Sequence, residues 1–384
     1  MAAVLVGLIA LLAPALGQPA PAPLFETKAA QAFLVDGGTG AVLYQKDPDT
    51  PFPPASLAKL MTVEVVFHAL KNGRLSMHDQ FVVSEHAWRK GGAPSGTATM
   101  FAAVKSSVPV AALIQGIIVQ QANDACIILA EAMAGSEENF AKLMNERARA
   151  IGLKTSTFVN PTGLPAEGHQ VTAREMVLLA QHLQREYPQY YRYFSQPEFE
   201  WNRILQRNRN PLLRLDIGVD GLGSGFTEGI GYSIAASQKR GDRRVFAALA
   251  AIPSEEERVE ETRKMLEWAM SAFQQRQLFA AGEIVGEASV YGGEEGSVPL
   301  RPQGPLVALV PAAGHEQPVS ARIAYQGPLP APVEEGTQVA KLQVWLGDTL
   351  SQETPLYAAE SVAAGTLRQR AFGAVQELLV GWMR

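Results

Sequence analysis

Cysteine is almost absent: Cys126 is the only one among 384 residues. A single thiol excludes an intramolecular disulfide framework, and this one reads as a small core residue. No basic block or basic-aromatic stripe occurs. The 33 basic residues are outnumbered by 38 acidic ones, for a net charge of −5, so nucleic acid is not an expected partner. The six histidines, at positions 68, 78, 86, 169, 182 and 315, never fall into His-Glu-x-x-His or a similar ligand spacing. No metal site and no other cofactor is therefore expected. A Gly-x-Ser-x-Gly elbow is also missing. The apolar run Ala2 to Gly17, "AAVLVGLIALLAPALG", is shorter than the roughly 20 residues of a membrane span. With the Pro/Ala-rich "QPAPAP" after it, it reads as a secretory signal over residues 1–17 and a linker over 18–28. The usual positive leading segment is lacking, since the first basic residue is Lys28.

What the chain does have is apolar material, 47% of its residues, enough for two or three packed domains. Ala29–Val35 and Ala41–Gln45 are short apolar runs around "DGGTG", a hairpin signal. Helical periodicity follows "PPAS" to about Asn72, and a second, densely apolar helix is expected over Val110–Ala134. Gly91–Phe101, "GGAPSGTATMF", reads as a mobile loop. Gly231–Gln238 and Arg244–Ile252 form another hairpin about "KRGD". An amphipathic helix follows, with an acidic first turn and Val259, Met265, Leu266, Ala269 and Phe273 on its apolar face. Strands, many helices, strands and a closing helix give an α+β domain with an antiparallel sheet. From Phe279 short apolar runs alternate with Gly/Pro turns, a small all-β domain over 279–363. Over 364–384, Leu367, Ala371, Ala374, Leu378 and Trp382 share one helical face flanked by Arg368, Arg370 and Arg384. This pattern suits an in-plane membrane anchor, or a helix docked on its own domain.

The glycine-rich "DGLGSGFTEG", Asp220–Gly229, invites a nucleotide reading. A dinucleotide fingerprint fails because Phe226 stands where the third glycine belongs, and a P-loop fails for want of a lysine. "PPASLAKLMT" carries more chemistry. Ser56 and Lys59 lie one helical turn apart on one face. A desolvated lysine can take the proton of a serine that is otherwise a poor nucleophile, and the helix N-terminus favours negative charge there. As a bare pattern, Ser-x-x-Lys is also met in an N-cap serine followed by a solvent-facing lysine.

The segments "AFLVDGGTGAVLYQKDPDTPFPPASLAKLMT", "QGIIVQQANDACIILAEAMAGSEENFAKLMNERARAIGLKTSTFVNPTGLP", "NRNPLL" and "DGLGSGFTEGIGYSIAAS" remove that ambiguity. They make the chain closely resemble the low-molecular-mass penicillin-binding proteins, the serine D-alanyl-D-alanine carboxypeptidases, from about Ala29 to Arg384. The resemblance implies a β-lactamase/transpeptidase-like catalytic domain over 29–278, with helices on both faces of an antiparallel sheet and a helical subdomain. It implies a periplasmic enzyme, peripheral to the inner membrane through its C-terminal helix. Its substrate would be the peptidoglycan stem pentapeptide, and β-lactams would be its covalent inhibitors.

Of the three motifs this family carries in its cleft, the first is intact as Ser56 and Lys59. The second, usually Ser-x-Asn, reads Gln121-Ala122-Asn123. The third, usually Lys-Thr-Gly, reads Gly223-Ser224-Gly225. By resemblance, Ser56 is the nucleophile and Lys59 its base. Asn123 orients the substrate amide and Lys59, Ser224 holds the substrate carboxylate, and the backbone N–H groups of Ser56 and Phe226 form the oxyanion hole. Gln121 cannot titrate, so general-acid help worth about 10²–10⁴ in rate is weakened. The missing lysine at Gly223 costs a charged hydrogen bond of roughly 1.5–3 kcal/mol to an anionic peptide end. Arg207 and Arg209 are both candidates for a replacement charge. His169 matches no catalytic role. Three readings follow: a modified but working carboxypeptidase, a peptidoglycan-binding homologue with little turnover, and a structural envelope protein.

Overall fold

The computed structural model describes residues 25–312 and 318–367. The expected signal segment, and the expected terminal helix beyond Leu367, lie outside the described residues. The expected N-terminal hairpin is present as β1 (Gln31–Asp36) and β2 (Val42–Lys46). Two small antiparallel pairs, β3 (Gln80–Val82) with β4 (Ser107–Pro109) and the hairpin β5 (Glu198–Trp201) with β6 (Ile204–Arg207), sit among the helices. The strands β7 (Val219–Thr227), β8 (Gly231–Arg240) and β9 (Arg243–Ile252) complete a five-stranded antiparallel sheet in the order β2-β1-β9-β8-β7. The first strand therefore closes against the last, with Phe33 opposite Ala248.

The strand period of two sends alternate residues to two cores. On one face Phe33, Val35, Ala235, Phe246, Ala248 and Ala250 pack with the helical subdomain. Its helices are α1 (Ala58–Lys71), α2 (Glu85–Gly91), α3 (Val110–Gln120), α4 (Asn123–Ala134), α5 (Glu137–Ala150), α6 (Ala173–Glu186) and α7 (Pro188–Tyr191). On the other face Leu34, Ile234, Ala236, Ala247 and Leu249 pack against α8 (Glu255–Ser271) through Met265, Leu266 and Ala269. The Ser254 hydroxyl accepts from the Glu257 N–H, and three glutamates fill the first turn of α8, as the acidic start of the segment predicts.

The helix expected over Val110–Ala134 is two helices. Gln121 adopts φ 54°, ψ 38°, and the Ala122 N–H turns back to the Gly116 carbonyl. Apolar periodicity runs unbroken through this point, so hydrophobicity alone could not reveal a single left-handed residue. The break makes Asn123 the first residue of α4. Gly91–Phe101, expected to be a mobile loop, is fastened to that same helix end. The carboxylate of Asp124 accepts from the Thr99 hydroxyl and the Met100 N–H, and the Asn123 N–H donates to the Ala98 carbonyl.

After α8, β10 (Phe273–Phe279) pairs with β13 (Leu306–Pro311). A six-stranded sheet is ordered β14 (Val319–Ala324), β16 (Gln338–Leu346), β17 (Thr349–Ala358), β12 (Ser297–Arg301), β11 (Gly286–Tyr291), β15 (Leu329–Pro330). It has its own core of Ala288, Val298, Leu300, Leu342 and Leu356. Leu309 and Leu346 join the core beneath α8, which ties the two domains together. The fold is therefore α+β with an all-β C-terminal domain. Among the described residues, no helix is long and apolar enough to cross a membrane.

Candidate active site

Ser56 sits in a single 3-10 turn, Ala55–Leu57, that leads directly into α1. Lys59, one turn further, is 4% exposed, and its ammonium donates to the Ser56 Oγ at 3.0 Å and to the Thr162 carbonyl. The cavity beside this pair is about 10 Å³, too small for more than a single water. Burial pushes the Lys59 amine down to about 8, and the charge of Arg209 pushes the same way. Cys126 lies nearby, but burial raises its own thiol to about 12, so it stays neutral and gives the lysine no counter-charge. A lysine near 8 is neutral in about one molecule in ten at pH 7, against fewer than one in a thousand for an unperturbed lysine. Dryness thus makes Lys59 a usable base while leaving it able to return the proton.

Two glycines let the surrounding backbone close on the nucleophile. A Cβ on Gly163, whose φ is +80°, would collide with the Ala55 carbonyl oxygen. A Cβ on Gly225 would stand 3.0 Å from both the Pro54 oxygen and the Ala55 Cβ, so only a bare residue lets β7 lie this close to the serine turn. The edge of the sheet at β7 therefore forms one wall of the cleft. Ser224 is buried within this strand, and Phe226 is exposed at its far end.

The altered motif positions face one another. Gly223 has no side chain, and the nearest atom to a Cβ built there is the Gln121 Nε2 at 3.6 Å. The Gln121 amide is thus the first group that a side chain at 223 would meet, and the left-handed break between α3 and α4 puts it there. Asn123 does not hydrogen-bond Lys59, the orientation expected from the resemblance. Its Nδ2 donates to the Thr97 hydroxyl at 3.0 Å, and its buried Oδ1 has no partner. A buried amide oxygen without a donor is available to a ligand N–H.

The sequence left the choice between Arg207 and Arg209 open. Both line a groove of about 400 Å³, with Arg214, Gln120 and Phe101. Arg209 is fixed to the site: its backbone N–H donates to the Val119 carbonyl and its Nε to the Gln120 Oε1, next to Gln121. It is also the arginine whose field Lys59 feels. Sequence reasoning missed Thr97 and the Thr162 carbonyl, because a loop hydroxyl and a main-chain oxygen leave no mark in the order of residues. It also missed the Asp220–Arg244 pair at 2.7 Å, which anchors the start of β7 to β9. Among the described residues no group of His, Cys, Asp and Glu could hold a metal ion.

Known proteins resemble this chain over most of its length. Residues 17–251 match the family model described as D-alanyl-D-alanine carboxypeptidase, and residues 273–364 match that of the penicillin-binding protein 5 C-terminal domain. The chain is 35% identical over 348 residues to the D-alanyl-D-alanine carboxypeptidase DacC of Escherichia coli, covering 87% of this chain and 84% of the relative. Penicillin binding protein 5 from Haemophilus influenzae superposes with a TM-score of 0.73 at 32% identity, over 88% of this chain and 98% of that one. Penicillin-binding protein D2 from Listeria monocytogenes, solved in its ampicillin-bound form, superposes with a TM-score of 0.55 at 28% identity, over 65% and 99%. The chain belongs to the D-alanyl-D-alanine carboxypeptidase family, the serine hydrolases among the low-molecular-mass penicillin-binding proteins.

Proposed function

We propose that this chain trims the terminal D-alanine of peptidoglycan pentapeptides in the periplasm through an ester on Ser56, with Arg209 in place of the missing β7 lysine. The observation that carries the reading is the dry, 3.0 Å pairing of Ser56 with an amine near pKa 8. Neutral Lys59 takes the Ser56 proton as the oxygen adds to the carbonyl of the penultimate D-alanine. The N–H groups of Ser56 and Phe226 stabilise the resulting oxyanion, a contribution of about 3–4 kcal/mol per donor that needs no particular side chain. The C–N bond then breaks, the departing amine takes its proton from Lys59, and D-alanine leaves. Water, deprotonated by Lys59, hydrolyses the ester. Gln121 cannot relay protons, so Lys59 alone serves the leaving group. The substrate carboxylate lies against Ser224 and toward Arg209. β-Lactams acylate the same serine, and the segment beyond Leu367 attaches the enzyme to the membrane surface.

A second reading, a peptidoglycan-binding homologue without turnover, is favoured by the loss of titratable groups at Gln121 and Gly223. Fluorescent penicillin separates the two. A covalent adduct that disappears in Ser56→Ala, together with D-alanine release from a pentapeptide, supports the enzyme. An adduct without release supports the binding reading. No adduct at saturating drug overturns the acyl-enzyme.

A further inference from the structure

The all-β domain carries a groove of its own, of about 670 Å³, lined by the segment 324–326, the edge strand β15 and one face of β16. Strand alternation puts Lys341 and Gln343 on that face of β16. The antiparallel registers set Glu353 of β17 opposite Gln343 on one side and Arg322 of β14 opposite it on the other. The Glu353 carboxylate accepts from Gln343 Nε2 at 2.8 Å and from Lys341 Nζ at 3.2 Å, and these bonds hold it below the usual carboxylate range. Arg322 lies over the Trp345 ring, 5.6 Å from its centroid. Tyr325 is 36% exposed, yet its ring is fixed in place. Its hydroxyl accepts from the Ser289 N–H at 3.2 Å, and a Cβ on Gly327 would collide with the ring edge.

We propose that this groove is a binding site for a glycan strand of N-acetylated sugars. Three side-chain amides line it, Gln326, Gln338 and Gln343. Each amide offers an acceptor oxygen and two N–H donors, and sugar hydroxyls and acetamido groups likewise both donate and accept. Tyr325 supplies what the amides lack, a held aromatic face on which the apolar C–H face of a pyranose ring can lie. Size agrees as well: about 670 Å³ falls inside the usual range for a small-ligand site, roughly 300–1,000 Å³.

Charge separates this ligand from an ionic polymer. The charged residues lining the groove, Lys341 and Glu353, neutralise each other across 3.2 Å, and the neighbouring Arg322 is drawn onto Trp345. A polyanion or polycation therefore finds no net field here. Apolar area separates it from a protein partner. Leu329 and Ala340 are buried, so Tyr325 is the one large exposed apolar group of the lining, too little for the core of a protein interface. Identifying the strand as peptidoglycan rests on the carboxypeptidase reading, whereas the sugar binding itself does not. A strand held on this domain keeps its stem peptides at raised local concentration for the cleft of the same molecule.

Peptide-free sugars test the site without turnover. Tetra-N-acetylchitotetraose and cellotetraose, which share a backbone linkage and differ in the acetamido groups, are titrated calorimetrically into the full chain. The acetylated sugar is expected to bind with a Kd of about 1 mM or tighter, and cellotetraose at least about fivefold more weakly. Tyr325→Ala is expected to weaken the acetylated sugar at least about tenfold, while Tyr325→Phe, which keeps the ring, stays within about twofold. Gln326 and Gln338 are exposed, so the protein carrying Gln326→Ala with Gln338→Ala keeps its fold and serves where Tyr325→Ala does not. It is expected to lose about fivefold. No saturable binding, equal affinity for the two sugars, or affinity untouched by the glutamine pair overturns the site. D-Alanine release from a pentapeptide is read separately. Sugar binding without release overturns the carboxypeptidase reading alone, and release without sugar binding overturns this site alone.

Discussion

Replacing Lys59 with methionine removes the base and, by the same physics that makes it a base, stabilises the fold at neutral pH. The folded amine titrates near 8 and the unfolded one near 10.5. Below pH 8 both states are protonated, and the folded state carries a penalty of about 3 kcal/mol for holding a cation in a dry site. Methionine has similar length and no charge, so it escapes that penalty. It also leaves the Thr162 carbonyl without its donor, a loss of about 1–2 kcal/mol. The variant should therefore be about 1–2 kcal/mol more stable at pH 7 while forming no penicillin adduct. Between pH 8 and 10.5 the unfolded chain holds a proton that the folded chain has released. Wild-type stability accordingly rises with pH relative to the variant, and near pH 10.5 the order reverses. Urea unfolding of both proteins at pH 7, 9 and 10.5 measures the gap. A variant less stable by the same amount at all three values refutes the claim that Lys59 is held in a desolvated, lowered state.

Gly163→Ala forces a methyl group into the Ala55 carbonyl, and the turn carrying Ser56 must move. Penicillin acylation should fall at least tenfold, with a stability loss of about 2 kcal/mol or more in urea; unchanged acylation refutes the close approach. Gly223→Lys alone should gain little, because the first group its side chain meets is the non-titrating Gln121 amide, whereas Gln121→Ser with Gly223→Lys should acylate about 10- to 100-fold faster. The acylation rates of the four proteins form a double-mutant cycle, and additive effects exclude the coupling. His169 titrates near 4 when folded and near 6.5 when unfolded, so its contribution is present above pH 6.5 and lost as pH falls to 4. His169→Leu should thus be less acid-sensitive by about 2–3 kcal/mol across that window, read as the difference in urea stability at pH 7 and 4.5.

The sheet was legible where local and long-range signals agree. "DGGTG" and "KRGD" mark hairpins by turn chemistry, and β1, β8 and β9 are buried on both faces over most of their length, so apolar runs alone locate them. The α8 segment announces itself through an acidic first turn and a serine cap. The α3–α4 junction was not legible, because its cause is a single φ value at Gln121 within a stretch that is apolar on either side. A pattern averaged over a window cannot register one residue of left-handed backbone.

The site divides along the same line. Ser56 and Lys59 are readable because one helical turn sets their separation, and their spacing in the chain is their spacing in space. What makes the amine a base is not in that spacing. It comes from Thr162, about a hundred residues away, from the close approach of Gly163 and Gly225, and from a cavity too small for more than a single water. The two altered motifs show this most clearly. Read along the chain, Gln121 and Gly223 are separate losses. In space the Gln121 amide is the nearest group to position 223, while Arg209, docked on the helix end that carries Gln121, brings a cation from a third segment. Substitutions that meet across a cleft can conserve its volume and part of its field while changing every residue that once supplied them. A motif scored position by position counts two deletions there, whereas the geometry leaves a working question about a single, rebuilt wall.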